Sequence, residues 1–523
     1  MKFYLQQSTA IFLILHIGGC IHKTAPTKPV ADYDPEIVKL CDDYPGRITK
    51  LFDSLNLDYK GMELVKASVE AKNYPAACTE LVAYYSNVNH INQPQITPSA
   101  SKIANDAVAD KILKDTFTFQ LVEGTVPRLP NGRLDWAYLG PQNNKDWGCF
   151  LNRHYHLMGL LKAYQKTSNP AYVKYIDQNV QDWIISNPYP GEKNNTVQWR
   201  GLEAGIRVKN WADIFYSLQH NKEFTPAARI LMLTSIPDHA DYLVRFHATE
   251  DNHKSSEMRG LATIAVCWPE FKNSQQWYDY SMKQNVSTTY ELVYPDGAQK
   301  ELTSLYHLVT ANELQGLVNL LRQAGKKPPV EFMNCLEKMY NYLAYTIRPD
   351  GYSLLNNDSD RLCNRDKLLK AAAEFNRPDW TYIVTNGHQG TKPQGLPSVF
   401  FNWAGQLIMR NGWNSAAQWA FFDVGPTGLH LHLDKLHLSV AAYGRDLLVD
   451  SGRYIYVLGS WWEYFVGSPS HNVILIDGGG QNWGIKVVDK PTSDADWKIT
   501  PTFDYARGTF DSGFQGISDK ITH

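Results

Sequence analysis

The sequence predicts a multidomain α+β protein in which an incomplete (α/α) toroid is followed by an antiparallel β-sandwich. Two features of the chain support this prediction. From about residue 36 to about residue 390, apolar residues recur at the three- and four-residue spacing of helices. After about residue 395, short apolar and aromatic runs alternate with turns, as in antiparallel sheets. Helices followed by strands are typical of two domains, and the cleft between them is the expected binding site.

Length and composition are those of a globular protein with two or more domains. The chain has 523 residues, of which 43% are apolar and 20% are charged. The net charge of −2 gives no reason to expect binding to nucleic acid or attraction to a membrane surface. The 15 Trp and 30 Tyr residues would suit a sugar-binding cleft, although large cores contain aromatic residues as well.

Residues 1–20 are predicted to be a bacterial lipoprotein-type signal peptide. Lys2 gives a positive start, residues 10–17 form an apolar run too short to span a bilayer, and small residues precede Cys20. A plain cleavable signal with an incidental cysteine is the alternative. We therefore expect a periplasmic protein whose only membrane anchor is a lipid on Cys20, followed by a tether at residues 21–35.

The toroid is predicted over residues 36–390, where helical segments are separated by short stop-and-restart sequences such as residues 167–170. Short connections make neighbouring helices antiparallel, and successive pairs of this kind suggest a toroid. A straight solenoid is the rival, but no repeat of fixed period supports it. Predicted helices in this region include residues 201–220, 225–248, 256–268, 275–293, 305–324 and 330–347.

The β-sandwich is predicted over residues 395–523, where turn sequences such as residues 443–446 and 477–480 separate short apolar runs. The predicted strands are residues 398–410, 418–424, 436–443, 446–450 and 472–477.

A cluster of metal-ligand or proton-transfer residues is predicted in the β-domain. His430, His432 and Asp434 alternate, so they would share one face of an extended segment. Asp450 follows the apolar run 447–449 and would end a buried strand, while His471 precedes another apolar run. Two histidines with carboxylates can bind a metal or move a proton. A half-exposed strand with incidental histidines is the alternative.

Polar residues at the starts of helices mark a second group of candidates. Asn252 and His253 lie where exposed backbone donors favour anions, although Asn252 could simply be an N-cap. Tyr306 and His307 open a long helix after a polar turn. The segment around Arg200 could bind a carboxylated ligand or form internal salt bridges.

Taken in order, these segments resemble the heparinase II/III group of polysaccharide lyases, and most closely its heparinase III-like branch. The resemblance covers the chain from about residue 55 onward, and its fold is an α/α toroid followed by antiparallel β-sandwich layers. The matching segments are Trp199-Arg200, Asn252-His253 with Glu257, Glu301-Leu302 with Tyr306-His307, His430, Asp450-Ser451-Gly452 and Ser470-His471-Asn472.

The resemblance implies β-elimination across a uronic acid in an acidic polysaccharide. Asn252, with His253, would neutralise the uronate carboxylate while the C5 proton leaves. Tyr306 would act as base or acid depending on the sugar epimer, and His430 would remove the proton on the opposite side. The residues expected to bind or orient substrate are Arg200, Glu203, Glu301, His307, Tyr454 and Tyr456.

The resemblance also implies one divalent metal, with zinc expected, held by His432, Asp450 and His471 in a structural role. Asp434 is a spare candidate ligand, and no organic cofactor is expected. Family members usually continue for roughly another hundred residues, about one domain, so an incomplete sandwich is expected here.

Two other functions compete with the lyase prediction. A glycoside hydrolase on an α/α toroid would need two facing carboxylates, for which Glu203, Asp296 and Glu301 are the candidates. A non-catalytic glycan-binding lipoprotein would use the aromatic residues without needing His430 or Tyr306. The sequence identifies neither the polysaccharide nor the oligomeric state.

Overall fold

The computed structural model describes residues 33–96, 105–249, 251–430, 432–456, 458–484, 488–519 and 521–523. The predicted signal peptide and almost all of the predicted tether therefore lie outside the described residues. Within the part of the chain that is described, no helix is both long and apolar enough to cross a membrane.

The chain begins with short helices that pack against the later ones. They are α1 (Pro35–Asp43), α2 (Pro45–Ser54), α3 (Glu63–Glu70), α4 (Tyr74–Ser86) and α5 (Ala107–Ile112).

A β-hairpin follows, which the helical pattern did not predict. Its strands are β1 (Thr116–Phe119) and β2 (Val122–Thr125). Phe117 and Phe119 lie on the same face of β1 and are buried in the helical core. Gln120 and Leu121 have φ of 49° and 66°, which is the left-handed backbone that a two-residue hairpin turn requires.

The toroid consists of helices in two layers. Its main helices are α6 (Lys145–Asn152), α7 (Tyr155–Thr167), α8 (Pro170–Ser186), α9 (Gly201–Ser217), α10 (Pro226–Phe246), α11 (Asp251–Cys267), α12 (Ser274–Glu291), α13 (Ser304–Gln323), α14 (Val330–Thr346), α15 (Arg365–Glu374) and α16 (Pro378–Val384). Helices α7, α9, α11 and α13 contact one another in succession, and α8, α10, α12 and α14 form the second layer. Each predicted helix is present, with α11 starting five residues earlier than expected.

The layer formed by α7, α9, α11 and α13 positions the candidate site. Gly201 lies beside Glu257 and Gly205 beside Gly260, so α9 and α11 run parallel. A Cβ atom on Gly260 would lie 2.6 Å from the Cα of Gly205, so the two backbones touch. Since these helices run in the same direction, their N-termini lie at one end of the toroid.

The C-terminal domain contains a five-stranded antiparallel sheet whose strands follow sequence order. The strands are β3 (Val399–Phe401), β4 (Gln406–Arg410), β5 (Trp419–Asp423), β6 (Leu438–Ala442) and β7 (Arg445–Leu448). Helix α17 (Ser460–Val466) follows β7, and a separate hairpin consists of β8 (Trp497–Ile499) and β9 (Asp504–Ala506).

The sheet is covered on both faces because its side chains alternate. Phe401 and Ile408 pack into the helical core, whereas their neighbours Phe400 and Leu407 belong to a second, smaller core that includes Phe510. This arrangement confirms the predicted fold class, a toroid followed by an antiparallel β-sandwich.

Four local predictions in this domain are wrong. The predicted strand 398–410 is two antiparallel strands, β3 and β4, joined by a turn. Residues 472–477 form no strand, and Ile474 and Leu475 are exposed. The run 447–449 is 39–57% exposed because β7 is the edge strand of the sheet, so Asp450 does not end a buried strand. The described residues of segment 429–434 adopt bends rather than an extended strand, and the chain turns sharply at Leu436, whose φ is 66°.

Candidate active site and metal centre

The predicted catalytic residues lie on loops and helix starts that meet where the toroid contacts the β-domain. Asn252 is in the first turn of α11 and Tyr306 in the first turn of α13. His430 lies on the loop between β5 and β6, and Tyr456 lies on the segment between β7 and α17. Rigid helices and strands thus carry a site that is built on their ends.

Glu301 joins two of the catalytic candidates, Asn252 and His430. The Asn252 side-chain amide donates to both Glu301 carboxylate oxygens at 3.1 Å. His430 Nε2 lies 2.9 Å from Glu301 Oε2. The Tyr306 ring stacks on the His430 imidazole, with ring centroids 3.6 Å apart and 10° between the planes. Asn252, Tyr306 and His430 therefore form one cluster, and their catalytic roles stay predictions.

Asp358, which the sequence analysis did not identify, closes the cluster on the other side. Its Oδ2 atom is 3.1 Å from both His430 Nδ1 and the Tyr456 hydroxyl oxygen. The hydroxyl oxygens of Tyr306 and Tyr456 are 2.8 Å apart. Because the single Tyr456 hydroxyl hydrogen is donated to Asp358, the Tyr306 hydroxyl donates to Tyr456.

These contacts set the charges of the cluster. Burial acts to lower the pKa of His430, but its hydrogen bonds to Asp358 and Glu301 outweigh burial and raise that pKa to about 9. Burial would raise the pKa of Asp358, yet the hydrogen bonds from His430 and His432 hold it well below its usual range. Burial raises the pKa of Tyr306. Near neutral pH the cluster thus contains an imidazolium between carboxylates, beside a protonated phenol.

Glu203, predicted to bind substrate, is fully buried inside the toroid. Arg200 contacts its carboxylate with Nε and Nη2 at 2.6 and 2.8 Å, and Arg153 Nη2 lies 2.9 Å from Oε1. The prediction for Glu203 is therefore wrong, and the alternative of an internal salt bridge is correct. Arg200 keeps 25% of its side chain exposed.

His307, also predicted to bind substrate, is buried and supports the chain around the site instead. Its Nδ1 accepts from the Gln299 backbone N–H at 3.2 Å, and its Nε2 donates to the Met339 carbonyl at 3.0 Å. With both ring nitrogens taken and 1% exposure, His307 does not reach a ligand. Glu301 has a side chain that is 2% exposed, so it orients Asn252 and His430 and is not itself accessible to a ligand.

Two further candidates stay predictions. His253 is part-buried in the first turn of α11, next to Asn252. Tyr454 is part-buried and lies against Phe465, with ring centroids 5.5 Å apart.

Two of the predicted metal residues, Asp450 and His471, converge with His437, which was not among the predicted ligands. His471 Nδ1 is 2.9 Å from Asp450 Oδ2, and His437 Nε2 is 3.5 Å from the same oxygen. The His432 and His471 rings are 5.1 Å apart. His437, Asp450 and His471 each offer a ligand atom within 4.8 Å of the others.

Hydrogen bonds decide which nitrogens could bind an ion. His437 Nδ1 accepts from the Asn472 backbone N–H at 3.2 Å, and its Nε2 faces Ser439 Oγ at 2.7 Å, so His437 supports Asp450 rather than binding a metal. His432 Nδ1 and His471 Nε2 are buried and have no hydrogen-bond partner among the described residues.

The buried, unpartnered nitrogens of His432 and His471 and the buried Asp450 carboxylate are ligand types that zinc prefers. His432, Asp450 and His471 could therefore hold such an ion. Asp434, the spare candidate, is also buried.

Comparison with known proteins gives consistent matches. The family described as "Heparinase II/III N-terminus" matches residues 51–377, and "Heparinase II/III-like, C-terminal" matches residues 393–504. A heparin-sulfate lyase of Bacteroides stercoris is 27% identical over 441 residues, which cover 78% of this chain and 65% of that protein. A heparin-sulfate lyase of Pedobacter heparinus is 26% identical over 420 residues, which cover 78% and 64%.

A solved structure of heparinase III gives a TM-score of 0.73 at 24% identity and covers 84% of this chain and 72% of that one. The chain thus spans about two thirds of the length of the curated relatives that it matches. The two family matches together include most of the chain, and the chain belongs to the heparinase II/III family.

Proposed function

We propose that this protein is a polysaccharide lyase that cleaves an acidic, uronic-acid-containing glycosaminoglycan by β-elimination. The observation that carries the proposal is one cluster of side chains. In it, Tyr306 stacks on His430, and both His430 and Asn252 bond to Glu301. The curated relatives described as heparin-sulfate lyases support the reaction and the substrate class.

In this proposal Asn252 and His430 stabilise the charge that develops on the uronate carboxylate as the C5 proton leaves. The two carboxylates around His430 keep its imidazole protonated near neutral pH, so we assign it this electrostatic role instead of the role of base. Tyr306 is the acid–base group in this proposal. Its hydroxyl bonds to the Tyr456 phenol and not directly to a carboxylate.

We propose that a divalent ion, zinc, is bound by His432, Asp450 and His471. Such an ion would join the β5–β6 loop to the segments that follow β7 and α17. When bound, the ion would cross-link these loops and thereby hold His430 in place.

The arrangement of carboxylates argues against a glycoside hydrolase. Glu203 is fully buried in its salt bridge, and Glu301 is 2% exposed. Asp296 accepts hydrogen bonds from the backbone N–H groups of Trp403 and Ala404 at 2.8 and 3.1 Å. None of these three carboxylates is placed to face a glycosidic bond, which a hydrolase needs from two of them.

The experiment is incubation of the protein with heparan sulfate, hyaluronan and alginate. A lyase produces ultraviolet-absorbing unsaturated ends, a hydrolase produces reducing ends without that absorbance, and a binding protein produces neither. Tyr306→Phe should retain the fold and lower turnover roughly a hundredfold or more. Tyr290→Phe, at an exposed tyrosine of α12, is the matched control and should turn over like the parent. If Tyr306→Phe turns over the substrate at the parent's rate, Tyr306 is not the acid–base group.

We further propose that the protein is exported and anchored in a bacterial membrane through lipid on Cys20. Small residues before this cysteine support the proposal. Labelling of cells with a fatty-acid probe should mark the parent and not Cys20→Ser, and the variant should leave the membrane fraction. Equal labelling of both chains would contradict it.

A further inference from the structure

Asp358 is a single carboxylate that bonds to two different parts of the candidate site. It belongs to the helical domain, in the loop between α14 and α15. Its Oδ2 accepts from His430 Nδ1 and from the Tyr456 hydroxyl, and its Oδ1 accepts from His432 Nε2, each at 3.1 Å. All three donors come from the β-domain, so this carboxylate links the proposed catalytic cluster to the proposed metal centre.

The hydrogen bond to Asp358 determines which nitrogen of His432 is available. Because His432 Nε2 donates to Oδ1, the neutral ring must carry its lone pair on Nδ1. That Nδ1 atom is buried and has no partner within the described part of the chain. His471 has the mirror arrangement: its Nδ1 bonds to Asp450 at 2.9 Å, which leaves Nε2 buried and equally unpartnered. His432 is therefore oriented by a carboxylate that is not itself a proposed ligand, as at many protein metal centres.

The position of Asp358 is fixed by its neighbours. Asn357 Oδ1 accepts from the His432 backbone N–H at 3.2 Å, and its Nδ2 donates to the Leu302 carbonyl at 3.0 Å. The Thr303 hydroxyl donates to the Asp358 carbonyl at 3.1 Å. Residues 302 and 303 immediately precede α13, which carries Tyr306. The loop thus connects the start of α13 to the histidine segment, and Asp358 has little freedom to turn away.

We propose that Asp358 is a positioning residue that couples the metal centre to the catalytic cluster. Through Oδ1 it turns His432 Nδ1 toward the ion, and through Oδ2 it holds His430 and Tyr456 in place beside Tyr306. The statement that Asp358 holds His430 and Tyr456 for catalysis rests on the proposed function. The statement that Asp358 orients His432 for metal binding does not depend on the reaction.

The first test is Asp358→Asn, with zinc as the probe. Asparagine keeps the size of the side chain but replaces one acceptor oxygen by an NH₂ group that cannot accept from a histidine or tyrosine. Zinc affinity, measured by competition with a chromophoric chelator, should fall roughly 10–100-fold, the usual cost of removing a carboxylate that orients a ligand. Turnover should fall through kcat with KM little changed.

The matched control is Asp360→Asn, two residues further along the same loop. The Asp360 carboxylate bonds to Arg453 at 2.8 Å and not to the candidate metal-binding histidines. Its variant should bind zinc like the parent. A parent that binds no zinc, an unchanged affinity in Asp358→Asn, or an equal loss in Asp360→Asn would each overturn the proposal.

A second variant separates the two halves and replaces the first if Asp358→Asn does not fold. Tyr456→Phe removes the hydroxyl between Tyr306 and Asp358 but leaves the hydrogen bond to His432 in place. It should lower kcat at least tenfold and bind zinc with the parent's affinity. A loss of zinc affinity in Tyr456→Phe, or a parent-like kcat, would contradict the coupling. If the parent cleaves no polysaccharide but Asp358→Asn still loses zinc affinity, the lyase proposal fails while the role of Asp358 at the metal stands.

Discussion

Glu301 illustrates how a buried carboxylate can organise groups that face a substrate. It accepts from both Asn252 and His430, so the Asn252 amide and the positively charged His430 ring are held in place before a uronate arrives. Polar and charged groups that are fixed in this way need little rearrangement when charge develops, which is why they contribute strongly to catalysis.

Removing the Asn252 amide should therefore affect turnover and not folding. Asn252→Ala is expected to lower kcat roughly 10²–10³-fold, the scale of losing one oxyanion-hole donor. Kinetics on the polysaccharide that the parent cleaves, with circular dichroism to verify folding, is the measurement. Asn319→Ala, at an exposed position of α13, is the control. Parent-like kinetics of folded Asn252→Ala would mean that the amide does not act on the substrate.

The raised pKa of Asp423 should make the stability of the protein depend on pH. Burial at the end of β5 raises its pKa from 3.8 to about 7. The folded state therefore binds the proton more tightly than the unfolded state, and this stabilisation is complete below about pH 4. It is lost as the pH rises from there through about 7.

The Asp423→Asn side chain stays neutral at every pH, so this variant should not lose stability as the pH rises through about 7. Compared with the parent, the variant should gain stability progressively between about pH 4 and pH 8, measured as the free energy of unfolding in urea. Asp511→Asn, at an exposed carboxylate, should follow the parent's profile. A constant difference between Asp423→Asn and the parent across this range would show that folding does not raise the pKa of Asp423.

At the scale of the elements, the contact between α9 and α11 depends on two glycines. Gly205 and Gly260 let the two backbones touch, and a Cβ on Gly260 would lie 2.6 Å from Gly205 Cα and O. Gly260→Ala should cost roughly 1–3 kcal/mol of stability through overpacking. It should also lower turnover, because α11 carries Asn252.

Gly159→Ala on α7 is the matched control for that substitution. The added methyl would meet its nearest neighbour, Ile112 Cδ1, at 4.0 Å, which is ordinary contact. Since Ala favours a helix over Gly by roughly 1 kcal/mol, this variant should be as stable as the parent or more stable. Thermal unfolding of the two variants provides the comparison, and a Gly260→Ala variant as stable as Gly159→Ala would show that the helices can move apart freely.

The elements also show what could be predicted from the sequence. The toroid helices were found because apolar residues repeat every three or four positions between clear loop sequences. The sequence does not predict the hairpin at residues 116–125, because its two four-residue strands are too short for a periodic pattern. The apolar run in residues 472–477 predicts a buried strand, yet Ile474 is 45% exposed.

The candidate site was predictable only in part, for a related reason. Asn252, Tyr306 and His430 stood out as chemical side chains at the ends of elements, and the resemblance to a family connected them. Asp358 lies in the polar segment Asn356-Asn357-Asp358-Ser359-Asp360, which reads as an ordinary solvated loop. It reaches His430, 72 residues away, only through the tertiary fold.

At the scale of the whole molecule, the toroid and the sheet are joined by buried polar contacts as well as by their shared core. The Tyr342 hydroxyl donates to Gln406 Oε1 at 2.6 Å across this boundary. Arg410 donates to the carbonyl of Ile347. The turn at Asp296, which precedes Glu301, also connects the two domains, because the Asp296 carboxylate accepts from two backbone N–H groups of the sheet domain.

Asp296 therefore connects the stability of the domain boundary to the geometry of the site. Asp296→Ala leaves the N–H groups of Trp403 and Ala404 without their acceptor, and each unpaired buried group costs roughly 1–3 kcal/mol. We expect a lower melting temperature and a lower kcat, because the turn also positions Glu301. The surface ion pair of Lys300 with Asp489 crosses the same boundary, but Asp489 is 72% exposed. Asp489→Ala should accordingly cost less than about 1 kcal/mol and leave kcat unchanged. Equal melting temperatures for the two variants would show that the boundary does not depend on the buried carboxylate.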